Sequence, residues 1–326
     1  MLVDQFNRVH DYLRISLTDR CDLRCFYCMP EEHYSFTPSP QLMQAEELEA
    51  LARIFVSQGV RKIRLTGGEP LVRKDFLAIL ERLARLQVQL TLTTNGTRLG
   101  AIAEDIQKAG IRSLNISLDT LDRNRFLMIT RRDLHDQVMG SIDRMLELGI
   151  GVKVNMVVMR GINDGEIIDF VRWTKNLPIH VRFIEFMPFD GNRWNQEKVV
   201  PFQELMERVR QEFDLVPLER EKHETAKKFI VPGHQGTFAV ISTMTAPFCG
   251  DCNRIRLTAD GKLKNCLFST SETDLLTAYR RGEDVVPLIH ENIRSKKAAL
   301  GGQFTADLDQ VQVEQLENRS MIRIGG

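Results

Sequence analysis

Tyr12-Leu-Arg-Ile-Ser-Leu-Thr-Asp-Arg-Cys-Asp-Leu-Arg-Cys-Phe-Tyr-Cys-Met-Pro30 is the stretch on which the architecture turns. Its start alternates with the period of a β-strand, Leu13, Ile15 and Leu17 on one side and Arg14, Ser16 and Thr18 on the other. The strand runs straight into Cys21, Cys25 and Cys28. Reactive groups placed just beyond the C-terminal end of a strand belong to sheets and barrels built from βα units.

The chain then repeats that beginning. β-rich runs at 12–18, 61–66, 88–94, 113–118, 152–159 and 180–187 are separated by helical patterns near 44–58, 75–86, 99–109, 137–148 and 166–176. A helix near 202–213 closes the sixth unit, and Gly59, Gly110 and Gly149 follow helical patterns where left-handed caps are expected. Strands alternating with helices predict a parallel sheet, hence an α/β fold with a partial (β/α)6 barrel over residues 1–217. After Leu218 the alternation stops: a charged stretch, 219–228, leads to a short β-like segment at 236–242 and a second cysteine group. The boundary is placed near 215–220, leaving a smaller C-terminal domain over 218–326; no internal repeat or low-complexity tract stands out.

Bulk properties exclude several classes. Lys plus Arg and Asp plus Glu both total 44 in 326 residues, so broad electrostatic binding to nucleic acid or an anionic membrane is not expected. The first dozen residues lack the apolar core of a signal peptide, and no apolar run approaches the roughly 20 residues of a membrane span, which predicts a cytoplasmic protein. Six cysteines in such a compartment are poor candidates for disulfides and point to metal.

Both faces of a helix-covered parallel sheet should be apolar. Here one face reads Leu13, Ile15, Leu17, Ile63, Leu65, Leu90, Leu92, Leu114, Ile116, Leu118, Val152 and Val154, while the other carries Arg14, Lys62, Arg64, Thr91, Thr93, Asn115, Ser117, Lys153 and Asn155, with Arg182 joining from the sixth strand. Buried unpaired cations cost several kcal/mol each, so this face needs an anionic partner or water. A partly open barrel binding a phosphate-bearing metabolite answers that need; an antiparallel sheet with one wet face is the alternative.

Three thiolates in a CxxxCxxC spacing can hold three corners of a 4Fe-4S cube and leave one iron without a protein ligand. Zinc would need a fourth ligand, and the nearest histidine, His33, lies at an unfavourable loop distance. The motif resembles that of the radical S-adenosylmethionine (SAM) superfamily, in which SAM occupies the open iron and is cleaved to a 5'-deoxyadenosyl radical. Thr66-Gly-Gly-Glu-Pro70 ends the second strand; its glycines allow close backbone approach and Glu69 can accept from an ammonium, similar to the superfamily's element for SAM's amino group. On their own, Ser117 reads as a strand hydroxyl and Met187 as core.

The second group, Cys249, Cys252 and Cys266, brackets Arg254, Arg256 and an Ala259-Asp-Gly261 turn, a hairpin pattern that returns Cys266 to the CxxC pair. A zinc knuckle completed by His223 or His234 competes with a second iron-sulfur cluster. Arg254 and Arg256 share one side of their strand, and guanidinium forks suit phosphate oxygens.

Over nearly its whole length the sequence resembles the GTP 3',8-cyclase family of molybdenum cofactor biosynthesis. The resemblance rests on Tyr12-Leu-Arg-Ile-Ser16, Lys62-Ile-Arg-Leu-Thr-Gly-Gly-Glu-Pro70, Thr93-Thr-Asn-Gly96, Ser117-Leu-Asp119, Val152-Lys-Val-Asn155, Arg182-Phe-Ile-Glu-Phe-Met-Pro188, the hairpin and the terminal Gly325-Gly326. It implies two 4Fe-4S clusters, SAM contacts at Tyr27, Gly68, Glu69, Ser117 and Met187, and GTP contacts at Arg14, Arg64, Thr93, Lys153, Arg182, Asn253, Arg254 and Arg256. It implies further that the radical takes the ribose 3' hydrogen before the sugar carbon attacks guanine C8, that the second cluster's open iron ligates guanine, and that the terminal glycines enter the active site. GTP as substrate, an external electron donor and a downstream cyclic pyranopterin monophosphate synthase are the implied partners, and a homodimer is admitted. Two other readings stand beside it: a different radical SAM enzyme, such as a peptide-modifying one, and a non-catalytic zinc or iron-sulfur module.

Overall fold

The computed structural model describes residues 1–31, 34–304 and 317–325; His33 and Gly326 lie outside the described residues. The alternation in the sequence becomes β1 (Tyr12–Ser16), α1 (Ala45–Ser57), β2 (Lys62–Thr66), α2 (Phe76–Ala84), β3 (Gln89–Thr94), α3 (Ala103–Lys108), β4 (Ser113–Ser117), α4 (Arg123–Thr130), α5 (His135–Glu147), β5 (Gly151–Val158), α6 (Ile167–Trp173), β6 (His180–Glu185) and α7 (Phe202–Glu212). Strands β1 to β6 pair in parallel in chain order, so the antiparallel alternative is overturned.

Helix α4 is the element the sequence pattern did not announce. Only Phe126, Ile129 and Thr130 of its residues are buried, too thin an apolar stripe for a helical period to stand out. Its start is nonetheless encoded, since the Asp122 carboxylate accepts from the backbone N–H of Arg125 at 2.6 Å.

The remaining residues add β7 (Val216–Pro217), β8 (Lys227–Ile230), β9 (Thr237–Ile241), β10 (Arg254–Leu257), β11 (Lys262–Lys264), β12 (Thr273–Asp274), α8 (Leu275–Arg280), α9 (Val286–Arg294) and α10 (Met321–Ile324). All twelve strands form one sheet in the order β12-β11-β10-β1-β2-β3-β4-β5-β6-β9-β8-β7. Thus β10 lies parallel beside β1 and β9 parallel beside β6, and the C-terminal segment extends both edges of the six-stranded sheet.

The apolar face foreseen from alternation packs under the helices. Leu13, Ile15, Ile63, Leu65, Leu92, Leu114, Ile116 and Val154 are fully buried, in one core with Phe55, Ile79, Leu83, Ile106, Val138, Ile142 and Phe170 of the helices. Each such side chain stabilises the fold by about 1.5–3 kcal/mol. That face anchors the sheet, which leaves the opposite face free for polar groups.

Candidate functional site

Register decides which polar residues meet. Arg14 stands opposite Arg64 on β2 and Arg256 on β10, so three guanidiniums form a row across adjacent strands. One step back along the strands, Tyr12 stands between Lys62 and Arg254. On the other half of the sheet Thr93, Asn115, Lys153 and His180 form one row and Ser117, Asn155 and Arg182 the next. The structure therefore brings Arg14, Arg64, Thr93, Lys153, Arg182, Arg254 and Arg256 onto one inner face.

That face is electrostatically unbalanced. Arg64 is buried, donating to Tyr12 Oη, to the Leu92 carbonyl at 3.1 Å and to Thr93 Oγ1 at 3.1 Å. Among the described residues, Arg182 Nε and Nη2 and Arg254 Nη2 are buried with no hydrogen-bond partner. Burial, with repulsion from Arg182, Lys62 and Arg64, brings the Lys153 ammonium down to about 8. Burial and Arg64 bring Arg182 down to about 9, while burial and Arg256 push Arg14 well below its ordinary value. His180 falls to about 3 through burial and the charges of Arg182 and Lys153. Burial would raise the Tyr12 phenol, yet Arg64 and Arg14 outweigh it and bring the group to about 8. Every shift has the sign that a bound polyanion would reverse.

The first three cysteines sit in the loop above β1. Cys28 and Met29 donate backbone N–H groups to the Cys25 carbonyl at 2.9 and 2.8 Å, while Arg24 and Phe26 donate theirs to Thr130 and Ile129 at the end of α4. The unforeseen helix is thus the buttress of this loop. Tyr27 Oη donates to Asp119 Oδ2 at 2.6 Å, and Asn95 Nδ2 reaches Cys21 Sγ at 3.7 Å. Burial pushes the thiols up, Cys28 to about 12 with Asp119 adding to it, while Cys28 adds to the rise of Cys21, and Cys21 and Cys28 to that of Cys25. Thiols held this high become thiolates only beside a compensating cation such as iron, and three cysteines in one loop, each taking a separate iron, fit an iron-sulfur cube. Among the described residues no three histidine, cysteine or carboxylate groups are arranged around a single metal ion.

The glycine turn after β2 packs against this loop. Gly68 and Glu69 donate their N–H groups to the carbonyls of Thr18 and Arg20, both at 2.7 Å. A Cβ on Gly68 would lie 2.5 Å from the Arg20 oxygen and 2.6 Å from that of Asp19. Glu69, expected from the sequence to receive an ammonium, accepts within the protein from Leu71 N at 3.0 Å, Thr94 Oγ1 at 2.8 Å and Asn95 N at 2.6 Å, and burial raises it to about 7. It thereby fixes the residue that touches Cys21. Ser117 ends β4 opposite Asn155.

Met187 and Arg182 have opposite parity, and the structure resolves the conflict: β6 ends at Glu185 and the chain turns. Met187 then lines a small cavity with Tyr27, Val157 and Phe186 and packs in an apolar cluster that includes Cys249 and Cys266.

The second group forms as the hairpin pattern suggested, with Arg256 opposite Lys264 and Leu257 opposite Leu263. Cys249 Sγ accepts from Leu300 N at 3.5 Å and Cys252 Sγ from Lys296 Nζ at 3.6 Å. Burial raises Cys252, but Arg254 and Lys296 outweigh it and bring this thiol down to about 6, a readily ionised ligand. Asn253 Nδ2 donates to Asp11 Oδ1 at 2.7 Å. Of the two histidines offered for zinc, His223 Nδ1 donates to the Asp251 carbonyl at 2.6 Å, and His234 pairs with Thr174 and Phe213, away from the hairpin. Gly325 is buried at the ends of β1 and β2, its carbonyl accepting from Arg256 Nη1 at 2.7 Å.

Sequence reasoning missed Tyr12, Asp119, Asn95, His180 and Lys296. The first and fourth share the parity of Arg14 and Arg182 and were open to the same argument; Lys296, in an exposed-looking Ser-Lys-Lys run, carried no signal.

The chain is similar to known proteins over its whole length. The Radical SAM superfamily profile matches residues 15–174, and the Molybdenum Cofactor Synthesis C profile matches 179–301. "GTP 3',8-cyclase, mitochondrial" of Arabidopsis thaliana is 50% identical over 333 residues, covering 100% of this chain and 84% of that protein. "GTP 3',8-cyclase" of Rhodopirellula baltica is 43% identical, covering 100% and 92%. "Molybdenum cofactor biosynthesis protein 1" of Homo sapiens is 47% identical over 99% of this chain, which spans 51% of that longer protein. Among solved structures, Streptococcus suis SuiB superposes with a TM-score of 0.62 at 17% identity, covering 96% of this chain and 76% of SuiB, a likeness of fold.

Proposed function

The chain belongs to the GTP 3',8-cyclase family of radical SAM enzymes acting in molybdenum cofactor biosynthesis, and from that membership we propose that it converts GTP to (8S)-3',8-cyclo-7,8-dihydroguanosine 5'-triphosphate, the first step of the pathway. The observation that carries the assignment to this substrate is the guanidinium row Arg256, Arg14 and Arg64, on one face of the sheet with the nitrogens of Arg182 and Arg254 that are without partners among the described residues.

Cys21, Cys25 and Cys28 would hold one 4Fe-4S cluster and Cys249, Cys252 and Cys266 the other. When bound at the first cluster, SAM supplies a 5'-deoxyadenosyl radical. Tyr27, Gly68, Glu69, Ser117 and Met187 line its place, and Glu69 also pins Asn95 against the cysteine loop. Arg14, Arg64, Lys153, Arg182, Arg254 and Arg256 take the triphosphate, each charge-assisted hydrogen bond worth about 1.5–3 kcal/mol. Thr93 and Asn253 orient the nucleoside. A nucleotide filling this half-buried face would displace water from around its sugar, so that a carbon radical formed there meets guanine rather than solvent.

An external electron donor supplies the reductant, and a cyclic pyranopterin monophosphate synthase consumes the product. Homodimerisation is compatible with this reading, as is work in the reducing cytoplasm. Among the described residues no helix is long and apolar enough to cross a membrane. The test is anaerobic incubation of the reconstituted protein with SAM, dithionite and GTP. Formation of 5'-deoxyadenosine that depends on GTP, together with a cyclised nucleotide, is expected; SAM cleavage indifferent to GTP would overturn the assignment.

A further inference from the structure

Beside the second thiol group lies a charged network that neither phosphate nor SAM binding uses. Lys296 is 2% exposed, an amine held inside the protein. Its ammonium donates to Cys252 Sγ at 3.6 Å, to the Arg254 carbonyl at 3.0 Å and to His10 Nδ1 at 3.5 Å. Since the ammonium only donates, His10 accepts at Nδ1 and carries its proton on Nε2, which donates to Asp4 Oδ2 at 3.0 Å. Asp4 in turn holds Arg8 through Nε at 2.6 Å.

Arg8 locks the position of the lysine. Its Nη1 donates to the carbonyls of Cys249 at 2.8 Å and Ala298 at 2.7 Å, and its Nη2 to Lys297 at 2.8 Å. One guanidinium therefore ties the backbone of a cluster cysteine to the segment that carries Lys296. Asp4, Arg8 and His10 are all buried, so the arrangement is rigid. Its sulfur-directed end is the ammonium.

A buried ammonium needs a negative neighbour, and the group it faces is the Cys252 sulfur, not a carboxylate. Charge and N–H donors at cluster sulfurs are levers by which a protein sets cluster potential. We propose that Lys296 is a positioning residue for the second cluster: it supplies a fixed positive charge at the Cys252 sulfur that raises the cluster's reduction potential, with Asp4, Arg8 and His10 as the frame that keeps it there. Reduction adds negative charge to the cluster, and a cation 3.6 Å from one ligand favours the reduced form. The inference rests on the proposed second cluster.

The test is a redox titration followed by electron paramagnetic resonance on full-length protein in which Cys21, Cys25 and Cys28 are replaced by serine, leaving the second cluster as the one observed. Lys296→Gln keeps a hydrogen-bond donor and removes the charge; Lys296→Arg keeps both. Lys296→Gln is expected to disfavour reduction at least tenfold, about 59 mV more negative for one electron, and Lys296→Arg to return the parent potential. If Lys296→Gln takes up no cluster on reconstitution while Lys296→Arg does, the charge requirement is likewise supported. A Lys296→Gln protein at the parent potential overturns the proposal, as does equal loss of the cluster in both variants. Failure of the underlying reading is separate: the parent triple-serine protein would then hold no iron-sulfur cluster at all.

Discussion

Arg256 Nη1 donates to the carbonyl oxygen of Gly325 at 2.7 Å, which draws the C-terminal residues onto the same guanidinium row as Arg14 and Arg64. Gly325 has φ of +84°, and a Cβ there would lie 2.7 Å from Thr66 Oγ1 and 2.8 Å from Ser16 Cβ. Gly325→Ala therefore cannot keep this seat. Both iron-sulfur clusters are expected to load normally while GTP-dependent formation of 5'-deoxyadenosine falls at least tenfold. Normal turnover in that variant would show that the seat is not needed.

Arg182 is a cation that the folded protein holds at a cost, since its Nε and Nη2 are buried without partners among the described residues. Replacing it by Met removes the charge and keeps the bulk. The free protein is expected to gain stability, on the order of 1 kcal/mol or more by the behaviour of buried charges exchanged for apolar groups, read as a higher Tm. GTP affinity should move the opposite way, weakening by about 1.5–3 kcal/mol, roughly ten- to a hundredfold in Kd. Parallel losses in stability and affinity would mean that Arg182 is structural.

Lys153 and Tyr12 give the site a pH dependence with a definite sign. In the free protein Lys153 titrates at about 8, lowered first by burial and then by Arg182, Lys62 and Arg64. A bound triphosphate favours the ammonium and raises that pKa, so binding takes up protons near pH 8. Affinity should be level below about pH 8 and weaken above it, up to tenfold per pH unit from this group. Tyr12, also near 8, adds negative charge as it ionises and works in the same direction. Calorimetry in buffers of different ionisation enthalpy should show the uptake in the parent protein, reduced in Lys153→Met and abolished when Tyr12→Phe is added.

How much of this was legible in the sequence differs from residue to residue, for physical reasons. Strand alternation placed Arg14, Arg64, Thr93, Ser117 and Lys153 on one face because side-chain direction in a strand follows from parity alone. Parity could not reconcile Met187 with Arg182, since β6 ends at Glu185 and Met187 lies beyond it, packed on the apolar cluster of Phe189, Met244 and Phe268. Glu69 was legible as an acceptor, but its donors come from Leu71 and from the end of β3, contacts made only once strands are side by side. Lys296 was illegible: its partners Cys252, Arg254 and His10 are remote along the chain, and nothing local distinguishes it from Lys297.

The glycine pair after β2 offers the sharpest separation between the two thiol groups. Gly68 lies against the backbone of the cysteine loop, where a Cβ would come within 2.5 Å of the Arg20 oxygen and 2.6 Å of the Asp19 oxygen, and its N–H donates to Thr18 at 2.7 Å. The obstacle is main chain, which cannot swing aside as a side-chain tip can, so Gly68→Ala must lift the loop that carries Cys21. The hairpin bearing Cys252 and Cys266 shares none of these contacts. Gly68→Ala is therefore expected to lose the first cluster and keep the second, with iron and sulfide per chain falling by about half if each site holds a 4Fe-4S cube. GTP should still bind, since the cation-lined face is intact, while SAM cleavage is lost. Retention of both clusters at full iron content would show that the loop tolerates displacement and that close packing at Gly68 is not what shapes it.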